Sequence, residues 1–405
     1  MMIFATLLFA YTLSQFFRAF LAIVSVDLSR DLALDSAQLG AVSAIWFAAF
    51  ALAQFPVGYA LDRYGPRRTI AATMIFAVIG CGLMATATGF YSALTAMAAI
   101  GVGCSAILMG SLFLFARNHA AEKFAMFTSL FVGLGALGNL LGTTPLALAV
   151  ELFGWRWSMV GITAITALST LLAFLVLRDP ERIDSSDGSG GMIAGLAEIV
   201  SLRTLWLILP ITFVSYAVVI ATRSLWIAPF FSQVHGYSVT ATGNAALLMA
   251  ITMSIGALAY GPLERFIRDT KRTAVIGSAV TAGAYLALAG FGAKSAAASV
   301  ALIGLIGAAG LTYGIIMAHA RLFFPRHLIG RGVTFMNFVF ISGAGIIQWI
   351  SGQFINASER AGLDAGERYA TLYGAFGLLV AAALALYLFA PARPKPQATH
   401  QAAML

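Results

Sequence analysis

The chain has 405 residues, of which 60 % are hydrophobic and 10 % are charged, and its mean hydropathy is +0.90. A water-soluble chain carries about a quarter charged residues, so these proportions exclude an ordinary soluble protein and predict burial of apolar surface in lipid. The formal net charge of +8 does not indicate nucleic-acid binding, because the basic residues are dispersed over short loops and form no patch.

Apolar segments long enough to cross a bilayer, which takes about 20 residues, recur along the chain. They predict an all-α membrane protein with twelve transmembrane helices. The first segment is long and lacks a basic n-region, so we interpret it as a spanning helix and not as a signal peptide. The predicted spans lie near 3–27, 37–60, 69–89, 91–116, 124–150, 156–177, 204–231, 238–262, 273–292, 296–320, 330–354 and 369–391.

A polar, glycine-rich break divides the spans into two groups of six. It covers residues 178–202 and includes the run Ser185-Ser186-Asp187-Gly188-Ser189-Gly190-Gly191. Such composition predicts a flexible linker. We therefore expect an N-terminal bundle over 1–177, a C-terminal bundle over 203–393 and a tail over 394–405.

The lysine and arginine residues between the predicted spans are distributed unequally. Seventeen lie on the side of the two chain ends and five on the opposite side. Because cytoplasmic loops carry the excess of Lys and Arg, this pattern predicts that both termini, the linker and the tail are cytoplasmic. With no organelle-targeting segment in the sequence, we expect a bacterial inner membrane.

Two loops on the basic side echo each other. The loop after the second span reads Gly58-Tyr59-Ala60-Leu61-Asp62-Arg63-Tyr64-Gly65-Pro66-Arg67-Arg68. The loop after the eighth span reads Gly261-Pro262-Leu263-Glu264-Arg265 and is followed by Lys271-Arg272. Both place an acidic residue and an arginine at a helix end, which indicates a repeat of six helices of the kind found in many transporters.

The first of these loops resembles the signature loop of the major facilitator superfamily, with a variation at Pro66. The resemblance covers essentially the whole chain and implies the two-bundle major facilitator fold and a transporter, not an enzyme. In that family the loop latches one conformational state. The resemblance therefore implies gating roles for Gly58, Asp62, Arg63, Gly65 and Arg67, and for Glu264 and Arg265 in the second copy.

Only two charged residues fall well inside predicted spans, Arg18 in the first and Arg223 in the seventh. Burial of an arginine near the bilayer centre costs at least about 2.5–3.5 kcal/mol, so each is a functional-site hypothesis. Because the two spans correspond in the repeat, the guanidinium groups could grip an anion from both sides of a cavity. This arrangement is similar to the organic-anion and sugar-phosphate permeases of the superfamily.

Two alternatives stay open for these arginines. Arg18 could instead bond helix-end carbonyls. Arg223 lies about half a turn later than the resemblance implies, so it could sit near the outer interface. Further candidate substrate-binding residues are polar or aromatic side chains within spans, for which bonding between helices is the alternative role. They are Tyr11, Gln15, Trp226, Tyr313 and Asn337.

The sixteen acidic residues fall in loops or at span ends, so no carboxylate is placed to carry a coupling proton. We therefore expect an antiporter that exchanges one anion for another and reorients more easily when a bound anion neutralises the arginines. The expected partners are a small anionic substrate and the lipid bilayer, with no nucleic acid, and we expect a monomer.

Other functions remain possible at this point. The protein could carry or export a neutral or cationic solute such as a vitamin, a drug or a metal, or it could be a non-transporting membrane sensor. Met249 and Met253 lie one helical turn apart and could bind copper(I), although core packing is the commoner role. Cys81 and Cys104 lie in apolar stretches and imply no disulfide or metal site. Nothing indicates a cofactor.

Overall fold

The computed structural model describes residues 2–118, 130–179, 198–324 and 329–393. Over these residues the chain is almost entirely helical and contains no β-strand. The helices of the first half are α1 (Met2–Phe16), α2 (Phe20–Asp31), α3 (Ser36–Tyr64), α4 (Pro66–Ala85), α5 (Phe90–Cys104), α6 (Ile107–Asn118), α7 (Leu137–Leu141) and α8 (Thr144–Val176).

The second half starts with α9 (Arg203–Ala221), which runs through a π-helical turn (Thr222–Trp226) into α10 (Ile227–His235). The remaining helices are α11 (Val239–Ile267), α12 (Thr270–Phe291), α13 (Ala296–Gly310), α14 (Tyr313–Arg321), α15 (Ile329–Arg360) and α16 (Ala365–Leu388), with a 3-10 turn at Gly292–Lys294.

These helices build the predicted number of spans. Ten described segments are long and apolar enough to cross a membrane, and α1 with α2 forms an eleventh span that bends by 45°. The longest segment, Leu130–Val176, is interrupted at Gly154, whose φ of 77° ends one helix and lets the next begin. Dividing the segment at Gly154 gives twelve spans, numbered 1 to 12 here in chain order, as the sequence predicts.

Some sequence predictions fall outside the described residues or change in detail. The predicted linker and tail lie outside them over 180–197 and 394–405, and the fifth span is described from residue 130. The side chain of Asp62 is also outside the description. The predicted first span, near 3–27, is formed by the bent pair α1 and α2 and not by one continuous helix.

Aspartates define where several helices begin. Asp35 accepts a hydrogen bond from the backbone N–H of Gln38 at 2.7 Å at the start of α3, and Asp364 does the same for Glu367 at 2.9 Å at the start of α16. In both cases the glutamine or glutamate side chain returns a bond to the backbone of the aspartate. These capping boxes satisfy backbone donors that the helix itself leaves free.

Glycines let the fifth span pack closely on the first. Gly135, Gly138 and Gly142 are spaced three and four residues apart and therefore share one helix face. A Cβ atom at Gly138 would overlap the carbonyl oxygen of Thr12, and one at Gly142 would lie 3.0 Å from Ala19. Small residues at such positions allow the backbones of membrane helices to approach, as the sequence suggested.

We expect Gly138→Ala to destabilise the protein by about 1–3 kcal/mol, because the added methyl group must displace the backbone of the first span. The midpoint of thermal unfolding in detergent should fall by several degrees. Gly133→Ala is the matched control, since a Cβ at Gly133 meets nothing within 4 Å. Equal midpoints for the two variants would contradict the close approach of the two spans.

Candidate functional site

Four spans at corresponding positions of the repeat are interrupted in mid-membrane. Spans 1, 4, 7 and 10 lose regular α-helical geometry at residues 17–19, 105–106, 222–226 and 311–312. Span 5 is also interrupted, at 142–143. Irregular backbone at membrane depth occurs where protein or a water-filled cavity surrounds it, and broken helices form the substrate sites of many transporters. The interruptions therefore mark the centre of the bundle as the candidate site.

Arg18 lies in the break of span 1. The backbone N–H groups of Arg18 and Ala19 bond the carbonyls three residues earlier, at 3.2 and 2.9 Å, so the chain tightens before α2 begins. The guanidinium lies 5.5 Å from the ring centre of Trp46 and 5.2 Å from that of Phe50, which stack on each other. These contacts hold the cation against two aromatic rings of span 2.

Arg223 lies in the π-helical turn of span 7. Its side chain is only 4 % exposed, so the alternative that placed it near the outer interface is wrong. The turn is stabilised by hydroxyl groups that bond backbone carbonyls. Thr222 and Tyr285 both donate to the carbonyl of Val218 at 2.9 Å, and Ser224 donates to that of Ile220 at 2.6 Å. Such turns widen a helix by one residue and are frequent at functional sites.

A chain of hydrogen bonds links Arg223 to the first half. Its Nη1 donates to Oδ1 of Asn139 at 2.6 Å, and Nδ2 of Asn139 donates to Oε1 of Gln15 at 3.5 Å. Gln15 in turn donates to the hydroxyl of Tyr11 at 2.6 Å. Two candidates from the sequence, Gln15 and Tyr11, therefore belong to one network with Arg223, and Asn139 is the residue that joins the halves.

Arg18 and Arg223 lie at the interruptions of corresponding spans, and Arg223 is connected to span 1 through Asn139 and Gln15. Nε of Arg18 and Nε of Arg223 are both buried without a hydrogen-bond partner, and neither side chain forms an ion pair with a described residue. An unpaired buried charge is costly, whereas a bound anion would satisfy both guanidinium groups at once. The arrangement can thus bind a small anion.

Aromatic side chains line the second half of the same site. The ring of Tyr216 stacks on Phe340 with 3.9 Å between centroids and lies 5.8 Å from Tyr313. Tyr313 is 41 % exposed. Tyr313, a candidate from the sequence, therefore lies beside Tyr216 with part of its side chain facing open space. Asn337 is partly buried one turn before Phe340 on α15.

Three other residues that the sequence singled out pack in the interior. Trp226 is 1 % exposed, its indole donates to Ser351 at 2.7 Å, and its ring lies edge-on to Tyr369. These contacts occupy Trp226, so its placement as a substrate-binding residue is not supported by the geometry. Met249 and Met253 are buried as well. The backbone of Met249 packs against Gly307, where an added Cβ atom would lie only 2.8 Å from the Met249 carbonyl oxygen.

The signature loop ties spans within the first half. Gly65 has a φ of 85°, and a side chain there would overlap Asp179. Asp179 accepts a hydrogen bond from the backbone N–H of Arg67 at 2.8 Å, and the Arg67 side chain donates to the carbonyl of Phe174 at 2.7 Å. The loop therefore joins the start of span 3 to the end of span 6.

The second half repeats this contact. Lys271, like Arg67, is the second residue of its helix, and its ammonium donates to the carbonyls of Leu388 and Ala390 at the end of span 12. A cation at these carbonyls also opposes the negative end of the helix dipole. The other predicted gating residues lie nearby, with Gly58, Arg63 and Arg265 exposed, Arg63 bonded to Tyr59, and Glu264 bonded to Thr270.

The polar contacts between the two halves gather at the opposite, less basic end. Glu151 at the end of span 5 accepts hydrogen bonds from the backbone and hydroxyl of Thr240 in the first turn of span 8. Glu359 at the end of span 11 accepts from Ser36, the first residue of span 2, and pairs with Arg368. Each half thus places a carboxylate on a helix N-terminus of the other, where the helix dipole favours negative charge.

The contacts of Glu151 with Thr240 and of Glu359 with Ser36 form a seam between the halves. Further contacts of this seam lie deeper in the bundle. Ser43 donates to Gln348, and Thr144 donates to Asn244 at 2.8 Å. Gly40 meets the backbone of α15 so closely that a Cβ there would lie 2.8 Å from Gly352. Among the described residues, the hydrogen bonds between the halves all lie in mid-membrane or towards this end, whereas the predicted gating residues lie at the other.

Sequence reasoning identified these residues only in part. Asn139 and Tyr216 are isolated polar residues within spans, each of which could bond substrate or a neighbouring helix, but nothing distinguishes them from other such residues, and the sequence does not single out Trp46 and Phe50. Glu151 and Glu359 stood at span ends, where solvation is the ordinary role of a carboxylate. Their partners are 89 and 323 residues away in sequence, so only the folded chain brings them together.

The architecture is that of a polytopic helical membrane protein with a central candidate site between two halves of six spans. The sequence profile of the Major Facilitator Superfamily matches residues 7–348, so the chain belongs to that superfamily. Membership confirms the predicted family and the expectation of an integral membrane transporter that is not an enzyme.

Curated relatives share part of the chain. It is 27 % identical over 218 residues to a D-galactonate transporter of Escherichia coli, covering 49 % of this chain and 47 % of the relative. It is 25 % identical over 172 residues to a putative tartrate transporter of Agrobacterium vitis, covering 41 % and 38 %. It is 30 % identical over 86 residues to a nitrate/nitrite transporter of a Picosynechococcus species, covering 21 % and 16 %. The chain thus spans less than half the length of these relatives.

Solved structures share the fold over nearly the whole chain. A bacterial homologue of the human lysosomal transporter Spinster superposes with a TM-score of 0.77 at 20 % identity and covers 98 % of both chains. A D-xylose–proton symporter superposes with a TM-score of 0.77 at 15 % identity and covers 96 % of this chain and 98 % of its own. These similarities confirm the twelve-helix major facilitator fold.

We expect Arg67→Gln to lower stability by about 1–2 kcal/mol, because it removes the charged hydrogen bond to Phe174 and the contact of the guanidinium with that ring. Thermal unfolding of the purified protein measures the effect. Arg68→Gln makes the same change of charge at an exposed neighbour and should leave the midpoint within about a degree. A larger effect of the Arg68 variant would contradict the role assigned to Arg67.

Proposed function

We propose that the protein is a secondary active transporter of a small organic anion, whose anionic group binds between Arg18 and Arg223. The observation that carries the proposal is the pair of guanidinium groups, one from each half, each with a buried and unpartnered Nε and without a carboxylate partner among the described residues. Charged hydrogen bonds from Arg to a carboxylate are strong and directional, so such an anion is the natural ligand.

The names of the relatives agree with an anionic substrate. They are called transporters of galactonate, tartrate and nitrate or nitrite, all of which are anions. Their matches cover less than half of their length, so the support concerns the charge of the substrate and not its identity. Neutral or cationic solutes would leave both arginines unpaired, and no described contact favours them.

We further propose that the halves alternate between two states as rigid bodies, 1–177 and 203–393, connected by 178–202. The seam at the less basic end then closes the outer side, and the site opens towards the basic end. With the basic end in the cytoplasm of a bacterial inner membrane, the described state faces inward. A monomer contains the complete site.

Exchange follows from the same electrostatics. When the site is empty, closure would bury two repelling cations, whereas a bound anion removes most of that cost. Reorientation should therefore be faster with an anion bound than without one, which favours antiport over net movement. No acidic residue lies in mid-span to replace the anion.

Arg18→Gln and Arg223→Gln should each weaken anion binding about 10- to 100-fold, because each removes a charged hydrogen-bond donor worth about 1.5–3 kcal/mol. The measurement is counterflow of labelled galactonate and tartrate in proteoliposomes, with binding followed by calorimetry. Arg360→Gln, at an exposed position, is the matched control and should behave like the unaltered protein.

Arg18→Lys adds a further test, because it keeps the positive charge but cannot form a bidentate pair of hydrogen bonds. It should therefore bind the anion more tightly than Arg18→Gln and less tightly than the unaltered protein. Unchanged exchange in both glutamine variants would overturn the anion site. Transport of a neutral sugar or a cationic drug that survives both substitutions would identify the alternative class of substrate.

Loss of both seam carboxylates should open the outer side. In the variant Glu151→Ala/Glu359→Ala, we expect the thiol of a Ser43→Cys reporter to react several-fold faster with a membrane-impermeant maleimide, because Ser43 is buried in the seam. Cys81 and Cys104 are buried, and the same protein without the reporter gives their background.

Asp27→Ala is the control for the seam variant. Asp27 carries a carboxylate at the same end, but its ion pair is with Arg30 of the same helix and does not join the halves. Its labelling rate should match that of the reporter alone. No acceleration in the double variant would show that the carboxylates do not hold the outer side closed.

A further inference from the structure

A tyrosine precedes each of the two arginines by the same number of residues. Tyr11 lies seven residues before Arg18 in span 1, and Tyr216 lies seven residues before Arg223 in span 7. The two spans correspond in the six-helix repeat, so each half contributes one Tyr–Arg pair. A spacing of seven residues is close to two helical turns, so each tyrosine lies about two turns from its arginine along the span.

The four side chains lie around a common space. Tyr11 is connected to Arg223 of the other half through the hydrogen bonds of Gln15 and Asn139. Tyr313 of span 10 completes the group, because its ring centroid lies 5.8 Å from that of Tyr216. Two turns of helix advance about 10.5 Å, so the arginines and the tyrosines form two levels separated along the membrane normal.

Stacking fixes the tyrosine rings and leaves their hydroxyl groups free to act. Tyr11 stacks on Phe131 at 4.8 Å, and Tyr216 stacks on Phe340 at 3.9 Å. The hydroxyl of Tyr11 accepts a bond from Gln15 and retains its own proton to donate. Those of Tyr216 and Tyr313 have no hydrogen-bond partner among the described residues. Rings whose faces are covered offer hydroxyl groups, so a polar and not an aromatic ligand fits this level.

We propose that the substrate is an elongated hydroxy acid of five or six carbons, with its carboxylate between Arg18 and Arg223 and its distal hydroxyl groups bonded to Tyr11, Tyr216 and Tyr313. This inference rests on the proposed function. Successive carbons of an extended chain advance about 1.3 Å, given bonds near 1.5 Å, so six carbons span about 7 Å. The arginine and tyrosine side chains extend towards the ligand from their two levels, and this reach accounts for the rest of the distance between the levels.

The two levels discriminate among the anions carried by the relatives. Nitrate is too short to reach the tyrosines and would leave their hydroxyl groups without a ligand. Tartrate would place its second carboxylate at the tyrosine level, where no described cation faces it. Galactonate presents one carboxylate and a hydroxylated tail, which matches cations at one level and neutral hydroxyl groups at the other.

The test is calorimetric binding of nitrate, acetate, tartrate and galactonate to the purified full chain. We expect galactonate to bind at least tenfold more tightly than acetate or nitrate. Tyr11→Phe, Tyr216→Phe and Tyr313→Phe should each weaken galactonate roughly threefold to tenfold, the effect of losing one neutral hydrogen bond, and leave acetate within about twofold. Arg18→Gln should weaken all four anions.

Tyr91→Phe is the matched control, because Tyr91 is 78 % exposed and far from the arginines, and it should bind galactonate like the unaltered protein. Tyr313→Phe alters an exposed side chain, so it keeps the test valid if a buried variant fails to fold. Equal binding of nitrate and galactonate, tighter binding of tartrate, or unchanged galactonate binding in the phenylalanine variants would overturn this inference and leave the arginine site standing. Failure of every anion to bind would overturn the proposed function itself.

Discussion

Two guanidinium groups between the halves, each with a buried Nε and with no carboxylate partner among the described residues, constrain much of this structure. Each unpaired charge costs free energy in a medium of low polarity, and the protein supplies only partial compensation. Arg18 rests on the rings of Trp46 and Phe50, while Arg223 bonds Asn139 and keeps one nitrogen unpaired. An arrangement that leaves charge uncompensated would favour an anionic ligand, which is the physical link between the site and the transport proposed above.

Interrupted helices make this placement possible. A regular α-helix would satisfy its backbone internally but would fix the direction of every side chain by the 3.6-residue period. The break at residues 17–19 and the π-helical turn at 222–226 change that direction at the two arginines. Hydroxyl groups of Thr222, Ser224 and Tyr285 bond the carbonyls around the second irregularity, so the turn carries little unsatisfied backbone in its apolar surroundings.

The two halves use the same contacts in different ways. Within each half, a cation in the first turn of the third helix bonds the end of the sixth, as Arg67 does in one and Lys271 in the other. Between the halves, Glu151 and Glu359 each approach a helix N-terminus of the opposite half. Contacts of the first kind join helix ends within one half, whereas those of the second kind hold the proposed outer side closed.

The amino-acid sequence alone determined the twelve spans, the repeat and the presence of two unusual arginines. These features are local, because hydropathy over about 20 residues and one charge within it decide whether a segment is compatible with lipid. The direction of Arg223 was not predictable, since one extra residue in a helical turn rotates everything beyond it by about 100°. Trp226 looked like a ligand for the same reason, although its indole bonds Ser351 in the interior. Asn139, Tyr216 and the two seam carboxylates acquired roles only when the tertiary structure brought together helices that are distant in the chain.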